Sequence, residues 1–365
     1  MTEREVFEIK VLFSTLLTLV SVLIYFNLQI EEYQSPDFQG KYVTDFSINY
    51  QQDVIEIGMI GDILLHSPLY NYTSFLPSFF PVKEELLSLD ILLANQESIP
   101  AGEEFGLSGY PNFSSPAHII GDLKTVGVDV VSLANNHTLD QKEAGVLAAI
   151  DQMQIYEMPY IGAYKSFDDQ QSDRIFHVKD VLFGILSYTY GTNGYDTPKG
   201  KDYLVNRIDS ERIKGEIGAL KNKVDFVIVS MHWGSEYELI PNEMQKELSQ
   251  NIAEAGGDII FGHHPHVIQP YEKITTSSGK ETHVFYSLGN FFSAQPFNFT
   301  NIGGIAKIEI RKQMIDGKKM LTLENPSFVA TAVMKGDPYT VNLLKEVENQ
   351  IGKTDKWVQQ HVFGE

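Results

Sequence analysis

The sequence predicts an α/β protein built from layers of helices and strands, and three observations support this fold class. Short apolar runs alternate with helix-like stretches from Asp53 onward, which is typical of strands buried between helices. Pro116 and Asp209 lie where helices should begin, and Gly127 and Gly256 lie where helices should end. Other apolar segments follow one another as predicted strands without an intervening helix. We therefore also expect antiparallel hairpins, so that the sheet structure is mixed and not purely parallel.

The predicted elements follow this alternation in order along the chain. Buried strands are predicted at residues 54–60, 90–95, 128–135, 224–232 and 258–263. Helices are predicted at residues 81–89, 116–126, 141–157, 209–223 and 242–256. Hairpin strands are predicted at residues 174–190, 283–292, 303–310 and 319–324. Residues 337–365 are polar with weak helical periodicity, and we assign them no role.

The composition is that of a folded protein and excludes several kinds of chemistry. The chain has 365 residues, of which 43% are hydrophobic and 21% are charged, so wholesale disorder is not expected. A formal net charge of −20 argues against nucleic acid as a partner, because affinity for phosphate backbones rests on Lys and Arg. The chain contains no cysteine, so any bound metal must be held by nitrogen and oxygen ligands.

Residues 11–28 form an apolar segment without a charged side chain, and as a helix rising about 1.5 Å per residue they would nearly cross a bilayer core. Arg4 and Lys10 precede this segment, which places residues 1–10 in the cytoplasm. We expect a single-pass anchor in the cell membrane, with an extracytoplasmic domain joined through a linker at residues 29–52. A cleaved secretory signal and a buried helix are the alternatives. The anchor is favoured because the segment is long and ends without a small-x-small cleavage site.

Polar residues follow the predicted strands at their downstream ends, where open α/β sheets gather ligand-binding groups. Five strand ends carry them, at Asp62, at Glu97, at Asn136 and His137, at His232, and at His264 and His266. Each has an ordinary explanation when taken singly, such as a Gly-Asp turn or a packed histidine. Five such ends together favour one shared site.

Asp, Glu, Asn and His without cysteine are the ligand set of a divalent transition metal such as manganese, iron or zinc. One ion or a pair bridged by a carboxylate would fit this set. His264 and His266 converge if their segment is extended, because alternate residues of a strand point to the same side. His263 would then face elsewhere unless a turn reorients it.

Six motifs in order resemble the CapA/PgsA poly-γ-glutamate capsule biosynthesis proteins. They are GDILLH at 61–66, NQES at 95–98, SLANNHTLD at 132–140, HWGSEY at 232–237, GHHPHVIQP at 262–270 and FYSLGNF at 285–291. The resemblance covers about residues 53–312. It implies a branch of the calcineurin-like metallophosphatase superfamily, which has a four-layer α/β/β/α sandwich and a two-metal site at its strand ends. We expect this domain at residues 53–325, followed by a C-terminal extension at 326–365.

The resemblance also implies roles for individual residues. The expected metal ligands are Asp62, Glu97, Asn136, His232, His264 and His266. The expected catalytic residues are His137 and His232, and the expected substrate-binding residues are His66, Asn95, Trp233, Glu236, His263 and Asn290. The sequence departs from the superfamily pattern because no Asp-x-His precedes Asp62 and because Glu97 stands where Asp is usual. The number of metal ions is therefore left at one or two.

The resemblance implies an extracytoplasmic component of poly-γ-glutamate synthesis and export, with the membrane and either the polymer or subunits of a synthase complex as partners. The sequence leaves two alternatives open. One is a metal-dependent phosphoesterase that acts on an envelope or extracellular substrate, and the other is a non-catalytic binding module with the same fold. The loops at residues 70–80, 105–113 and 191–203 either cover the pocket or are ordinary packed loops.

Overall fold

This computed structural model describes residues 50–296 and 299–364, together with Thr15 and Thr18. The predicted cytoplasmic segment, the anchor apart from those two threonines, and the linker up to residue 49 lie outside the described residues. Within the described part of the chain, no helix is both long and apolar enough to cross a membrane. Residues Asn49–Glu365 form one compact unit.

Two mixed sheets form the centre of this unit. The first sheet has the strand order β14-β13-β12-β1-β2-β3-β4, and β11 pairs in parallel with β1. Its strands are β1 (Tyr50–Leu64), β2 (Ile91–Gln96), β3 (Val130–Ser132), β4 (Tyr160–Ile161), β11 (Asn290–Ser293), β12 (Ile302–Ile315), β13 (Lys318–Met334) and β14 (Thr340–Leu343). The second sheet has the order β5-β6-β7-β8-β10-β9. Its strands are β5 (Ile175–Val178), β6 (Val181–Thr189), β7 (Phe226–His232), β8 (Ile259–His263), β9 (Ile268–Thr275) and β10 (Glu281–Leu288).

Helices lie between and after these strands. The α-helices are α1 (Leu76–Phe79), α2 (Lys83–Leu87), α3 (His118–Thr125), α4 (Lys142–Ile155), α5 (Phe167–Gln171), α6 (Ser210–Lys221), α7 (Glu243–Ala255), α8 (Leu344–Ile351) and α9 (Asp355–Phe363). Short 3₁₀ turns occur at Phe80–Val82, Glu103–Phe105 and Asp202–Leu204. Helix α7 begins with a reciprocal capping box between Asn242 and Gln245. It ends at Gly256 in the left-handed conformation, which confirms the predicted helix end.

Alternation of side chains along the strands divides the apolar residues among three cores. In β2, Leu92 and Ala94 face a core shared with α3 and α4, whereas Ile91 and Leu93 face a core between the two sheets. On the other side of the second sheet, β7 contributes Val229 to a third core with α6 and α7. The layers are therefore helix, sheet, sheet and helix, because successive strand residues point to opposite faces.

The predicted α/β class with mixed sheets is confirmed. The five predicted buried strands correspond to β1, β2, β3, β7 and β8, and the five predicted helices correspond to α2, α3, α4, α6 and α7. Antiparallel pairing of β5 with β6 and of β12 with β13 matches the predicted hairpins. Strand β9 was not predicted, because Pro270 interrupts its pattern and residues 270–273 are half-buried or exposed.

Residues 283–292 differ from the single hairpin strand predicted for them. The segment breaks at Gly289, which has a φ of 65°, and its two halves join different sheets as β10 and β11. Residues after the predicted domain boundary at 325 continue strand β13 and then form β14, α8 and α9. Leu344 and Val358 from these helices pack into the core between the sheets.

Candidate metal centre

Asp62 lies near the end of β1, where the backbone of the first sheet meets the loop after β10. Its amide N–H donates to the carbonyl oxygen of Gly289 at 2.9 Å. Position 61 must be glycine, because a Cβ atom there would lie 2.2 Å from that same carbonyl oxygen. This close approach of two backbones brings Asp62 to the facing edge of the second sheet.

The carboxylate of Asp62 is buried and fully supported by hydrogen bonds. Oδ1 accepts from Asn95 Nδ2 at 2.8 Å and lies 3.0 Å from His263 Nδ1. Oδ2 accepts from the backbone N–H of His264 at 3.2 Å and lies 3.3 Å from His266 Nδ1. Burial by itself raises the pKa of Asp62, but the hydrogen bonds and charges of His263 and His266 outweigh it and hold this pKa well below its ordinary value. Asp62 is therefore an anion at neutral pH.

Glu97 follows β2 and, unlike Asp62, is buried without support from hydrogen bonds among the described residues. Its side chain is 0% exposed, yet neither carboxylate oxygen has a hydrogen-bond partner among the described residues. Oε1 lies 3.6 Å from His232 Nε2 and 3.8 Å from His266 Nε2. Burial, with an added contribution from the charge of Asp62, raises the pKa of Glu97 well above its ordinary value. An uncompensated carboxylate at this depth is costly unless a cation or a proton joins it.

His232 is the last residue of β7 in the second sheet, and its side chain contacts Asn136, which follows β3 in the first sheet. His232 Nε2 lies 2.8 Å from Asn136 Oδ1, so the two groups face the same space as Glu97 Oε1. Burial lowers the pKa of His232 well below its ordinary value, and the neighbouring His264 adds to this effect. The neutral imidazole that results is the form that binds metals.

His264 and His266 follow β8 and converge on the same space, but not along an extended segment as predicted. Their φ values are 97° and 58°, so both residues are in the strained left-handed region on either side of Pro265. His263 is the last residue of β8 and points inward on the same strand face as Ile259 and Phe261, where it supports Asp62. Burial lowers the pKa of His264 to about 3. Burial alone would lower the pKa of His266, but the carboxylates of Glu97 and Asp62 outweigh it and raise this pKa to about 9.

Among residues 50–296 and 299–364, three overlapping sets of side chains could each hold a metal ion, with one ligand atom per residue and all atoms of a set within 4.8 Å of one another. The sets are Asp62, Glu97 and His266; Glu97, His232 and His264; and Glu236, His264 and His266. Glu97 belongs to the two buried sets, as expected of a bridging carboxylate. His264 Nδ1 also lacks a hydrogen-bond partner among the described residues. The donor set therefore fits a divalent cation, and five of the six predicted metal ligands belong to these sets, with Asn136 alongside them.

His137 lies beside this cluster and is oriented by an acidic partner that sequence reasoning missed. His137 Nδ1 lies 2.7 Å from Asp140 Oδ2, and that oxygen also accepts from the backbone N–H of Phe113 at 2.7 Å. The Phe113 ring packs edge-on against both His137 and His66, with centroids 4.7 Å and 5.3 Å away. Asp140 is the last residue of the SLANNHTLD motif, so its spacing of three from His137 on a turn was the available signal.

The predicted substrate-binding residues have different surroundings. Asn95 and His263 support Asp62, and Asn290 Oδ1 lies 3.0 Å from His266 Nδ1. Glu236 is exposed and belongs to the outermost ligand set. Trp233 is not part of the cluster, because its ring is buried in the third core and its Nε1–H donates to the carbonyl oxygen of Tyr286 at 2.9 Å.

His66 is half-buried near the cluster. Its Nδ1 lies 3.0 Å from the carbonyl oxygen of Leu64, and burial lowers its pKa to about 4.

Two of the three loops considered from sequence contact the site. The loop at 105–113 contributes Phe113, as described above. The stretch from Tyr190 into the loop at 191–203 contributes Tyr190, whose ring lies 4.6 Å from that of His264, and Asn193, whose Oδ1 accepts from Asn136 Nδ2 at 3.2 Å. Tyr195 connects the two loops, since its hydroxyl donates to Asn112 Oδ1 at 2.9 Å.

The fold and the donor set define a class, an α/β protein with a candidate divalent-cation site where the strand ends of two sheets meet. The sequence profile described as "Bacterial capsule synthesis protein PGA_cap" matches residues 56–295, and the chain belongs to this family. The chain is 27% identical over 288 residues to the PGA biosynthesis protein CapA of Bacillus subtilis (strain 168), covering 75% of this chain and 72% of that protein. It is 29% identical over 204 residues to the Capsule biosynthesis protein CapA of Bacillus anthracis, covering 55% of this chain and 48% of that protein.

Among solved structures, the chain is similar to the NAD nucleotidase NadN of Haemophilus influenzae, with a TM-score of 0.48 and 11% identity over 79% of this chain and 61% of that one. It is also similar to a 5'-nucleotidase precursor from Thermus thermophilus, with a TM-score of 0.46 and 11% identity over 80% of this chain and 54% of that one. The chain thus spans less than two thirds of the length of either structure.

Proposed function

We propose that this protein is a membrane-anchored, extracytoplasmic component of poly-γ-glutamate capsule synthesis and export, and that its strand-end site binds one or two divalent cations. Membership of the capsule synthesis family supports the biological role. The uncharged segment at residues 11–28 supports the anchor. The partners proposed with this role are the membrane and either the polymer or the subunits of its synthase.

One observation carries the cation-binding part of the proposal, the buried carboxylate of Glu97 without a hydrogen-bond partner among the described residues. Buried charges in proteins are paired or coordinate metals. The nearest nitrogens to Oε1 belong to His232 and His266, which are themselves ligand-type groups. A bound divalent cation would supply Lewis acidity and lower the pKa of a water molecule.

The residues of this chain have distinct roles in that arrangement. Asp62, held by Asn95 and the backbone N–H of His264, provides a fixed anionic oxygen. Asp140 holds Nδ1 of His137, which leaves Nε2 as the nitrogen that can exchange a proton with a bound molecule. Phe113 packs against His137 and keeps its ring in place.

The test is complementation of a deletion strain with the full-length gene. We expect wild type to restore cell-associated poly-γ-glutamate, and we expect Glu97→Gln and a version without residues 1–28 to restore little. Glu211→Gln removes an exposed carboxylate on α6 and is the matched control. Full polymer production by Glu97→Gln at equal protein abundance would contradict the role of the site. Normal production by the truncated version would contradict the anchor.

The His137–Asp140 pair favours a second candidate function, metal-dependent hydrolysis of a phosphate ester. General acid-base catalysis of this kind typically contributes about 10²–10⁴-fold to rate. We expect His137→Asn to lower kcat on phosphomonoesters or phosphodiesters by about 10²-fold while leaving Mn²⁺ affinity within about threefold. Absence of turnover by wild type with manganese, iron or zinc would reject this function and favour a binding module.

A further inference from the structure

Asn136 offers its amide oxygen, and not its amide nitrogen, to the cation-binding space. Asn136 Oδ1 lies 2.8 Å from His232 Nε2, and His232 Nε2 in turn lies 3.6 Å from Glu97 Oε1. An oxygen facing this space can bind a cation, whereas an N–H group facing it would repel one. The two ends of an amide have nearly the same size, so hydrogen-bond partners decide which end faces inward.

His232 lies at the oxygen end of this amide, and the partners at its nitrogen end come from the segment between Tyr190 and Asn193, called here the Tyr190–Asn193 segment. Asn193 Oδ1 accepts from Asn136 Nδ2 at 3.2 Å. The Tyr190 side chain also lies close enough to Asn136 for this amide to oppose the rise that burial causes in the pKa of Tyr190. Since Oδ1 of Asn136 is directed at His232, these partners hold the nitrogen end of the amide away from the cation-binding space.

The segment is itself held in place by the protein. Arg207 Nη2 donates to Thr192 Oγ1 at 2.9 Å and to the carbonyl oxygen of Tyr195 at 2.8 Å. Asn193 has a φ of 49°, a left-handed conformation that asparagine adopts more easily than most residues. The Tyr190 ring packs on His264 with centroids 4.6 Å apart. The position of Asn193 therefore follows from the fold and not from a chance surface contact.

We propose that Tyr190 and Asn193 are positioning residues, which fix the Asn136 amide so that its oxygen serves as a cation ligand. This inference rests on the proposed cation site and extends it to residues outside the ligand sets. Outer groups that orient metal ligands typically change metal affinity by about 10–100-fold when removed. Asn193 is exposed and water can replace part of its contact, so we expect the lower end of that range.

The experiment measures Mn²⁺ binding to the purified full-length chain by isothermal titration calorimetry after treatment with a chelator. Tyr190→Phe keeps the ring on His264 but removes the hydroxyl, and Asn193→Gly keeps the backbone conformation but removes the amide. The matched control is Asn325→Gly, since Asn325 also has a φ of 49° but lies in β13 within the hairpin with β12. We expect the double variant to bind Mn²⁺ about tenfold more weakly than wild type, and the control to bind as wild type does.

The decisive comparison repeats the double variant in an Asn136→Asp background. The two oxygens of a carboxylate are equivalent, so orientation no longer matters, and we expect the loss to shrink to less than about twofold. An equal loss in both backgrounds would overturn the inference, because the segment would then act by general stabilisation. No loss in the Asn136 background would also overturn it. Failure of wild type to bind Mn²⁺ would instead reject the proposed cation site, and the inference with it.

Discussion

The two ends of the parallel strands use acidic residues in different ways. At the amino ends, Asp90, Asp129, Asp225 and Asp258 each stand directly before a strand and accept the backbone N–H of a residue in the neighbouring strand. At the carboxyl ends, Asp62 and Glu97 lie among histidines and amides. The first group completes the hydrogen bonding of the sheets, and the second group places two carboxylates close together at the candidate cation site.

Asp258 and Glu97 show the contrast most directly, because both carboxylates are almost fully buried. Asp258 lies 2.9 Å from Lys221 Nζ and 2.6 Å from Lys280 Nζ, and accepts from the N–H of Val227 at 2.7 Å. Glu97 has no hydrogen-bond partner within residues 50–296 and 299–364. The folded chain thus supplies hydrogen bonds and ion pairs to one buried carboxylate and leaves the other to a proton or, as proposed, to a cation.

The largest expected effect is on cation binding by Glu97→Gln. Because Glu97 belongs to both buried ligand sets, we expect Mn²⁺ affinity to fall by more than the roughly 100-fold that marks the upper end for outer-shell changes. Stability without metal should stay within about 1 kcal/mol of wild type, because the raised pKa of Glu97 favours its neutral carboxyl form, which glutamine closely matches in size. Calorimetry and urea unfolding in the presence of a chelator measure the two quantities. A large loss of metal-free stability with intact Mn²⁺ binding would show that Glu97, like Asp258, is a structural residue.

The converse variant, Asp258→Asn, should lower stability and leave cation binding unchanged. It weakens two ion pairs whose lysines are about one third exposed, so we expect a loss of about 2–3 kcal/mol, below the full cost of breaking a deeply buried pair. Urea unfolding without metal gives the free energy of unfolding, and Asp151→Asn on the exposed face of α4 is the control. A Mn²⁺ affinity that changed more than about threefold would mean that the two ends are coupled.

The third expected effect is a pH dependence of cation binding with a defined sign. In the cation-free protein the pKa of His266 is raised to about 9, and that of Glu97 is raised well above its ordinary value. His266 therefore holds a proton below about pH 9 that a cation must displace, and the raised pKa of Glu97 acts in the same direction, so affinity rises with pH up to about 9. Each proton released contributes about tenfold per pH unit. Mn²⁺ titrations from pH 6 to 9 test this sign, and an affinity that fell with rising pH would contradict it.

Much of the candidate site could be predicted because local sequence places ligands after strands. The end of β1 and the end of β8 are recognisable from apolar runs followed by Asp62 or by His264 and His266. Asp140 was missed because its role depends on the turn that brings it to 2.7 Å from His137. The left-handed backbone of His264 and His266 was missed because the residue pattern of this segment fits an extended strand end as well as a turn.

The sequence by itself determined the α/β class, the strand ends that carry ligands and the exclusion of thiol chemistry, because periodicity and residue type are local properties. Only the tertiary structure decided which ligands meet. Asp62 and His263 form their contact across 201 residues of chain, and His232 meets Asn136 across 96. The tertiary structure also decides that Glu97 has no hydrogen-bond partner among the described residues, because this depends on which groups the neighbouring segments place around it. Whether a buried charge is compensated depends on groups from several segments that meet only in the folded protein, so it cannot be read from any one segment of the sequence.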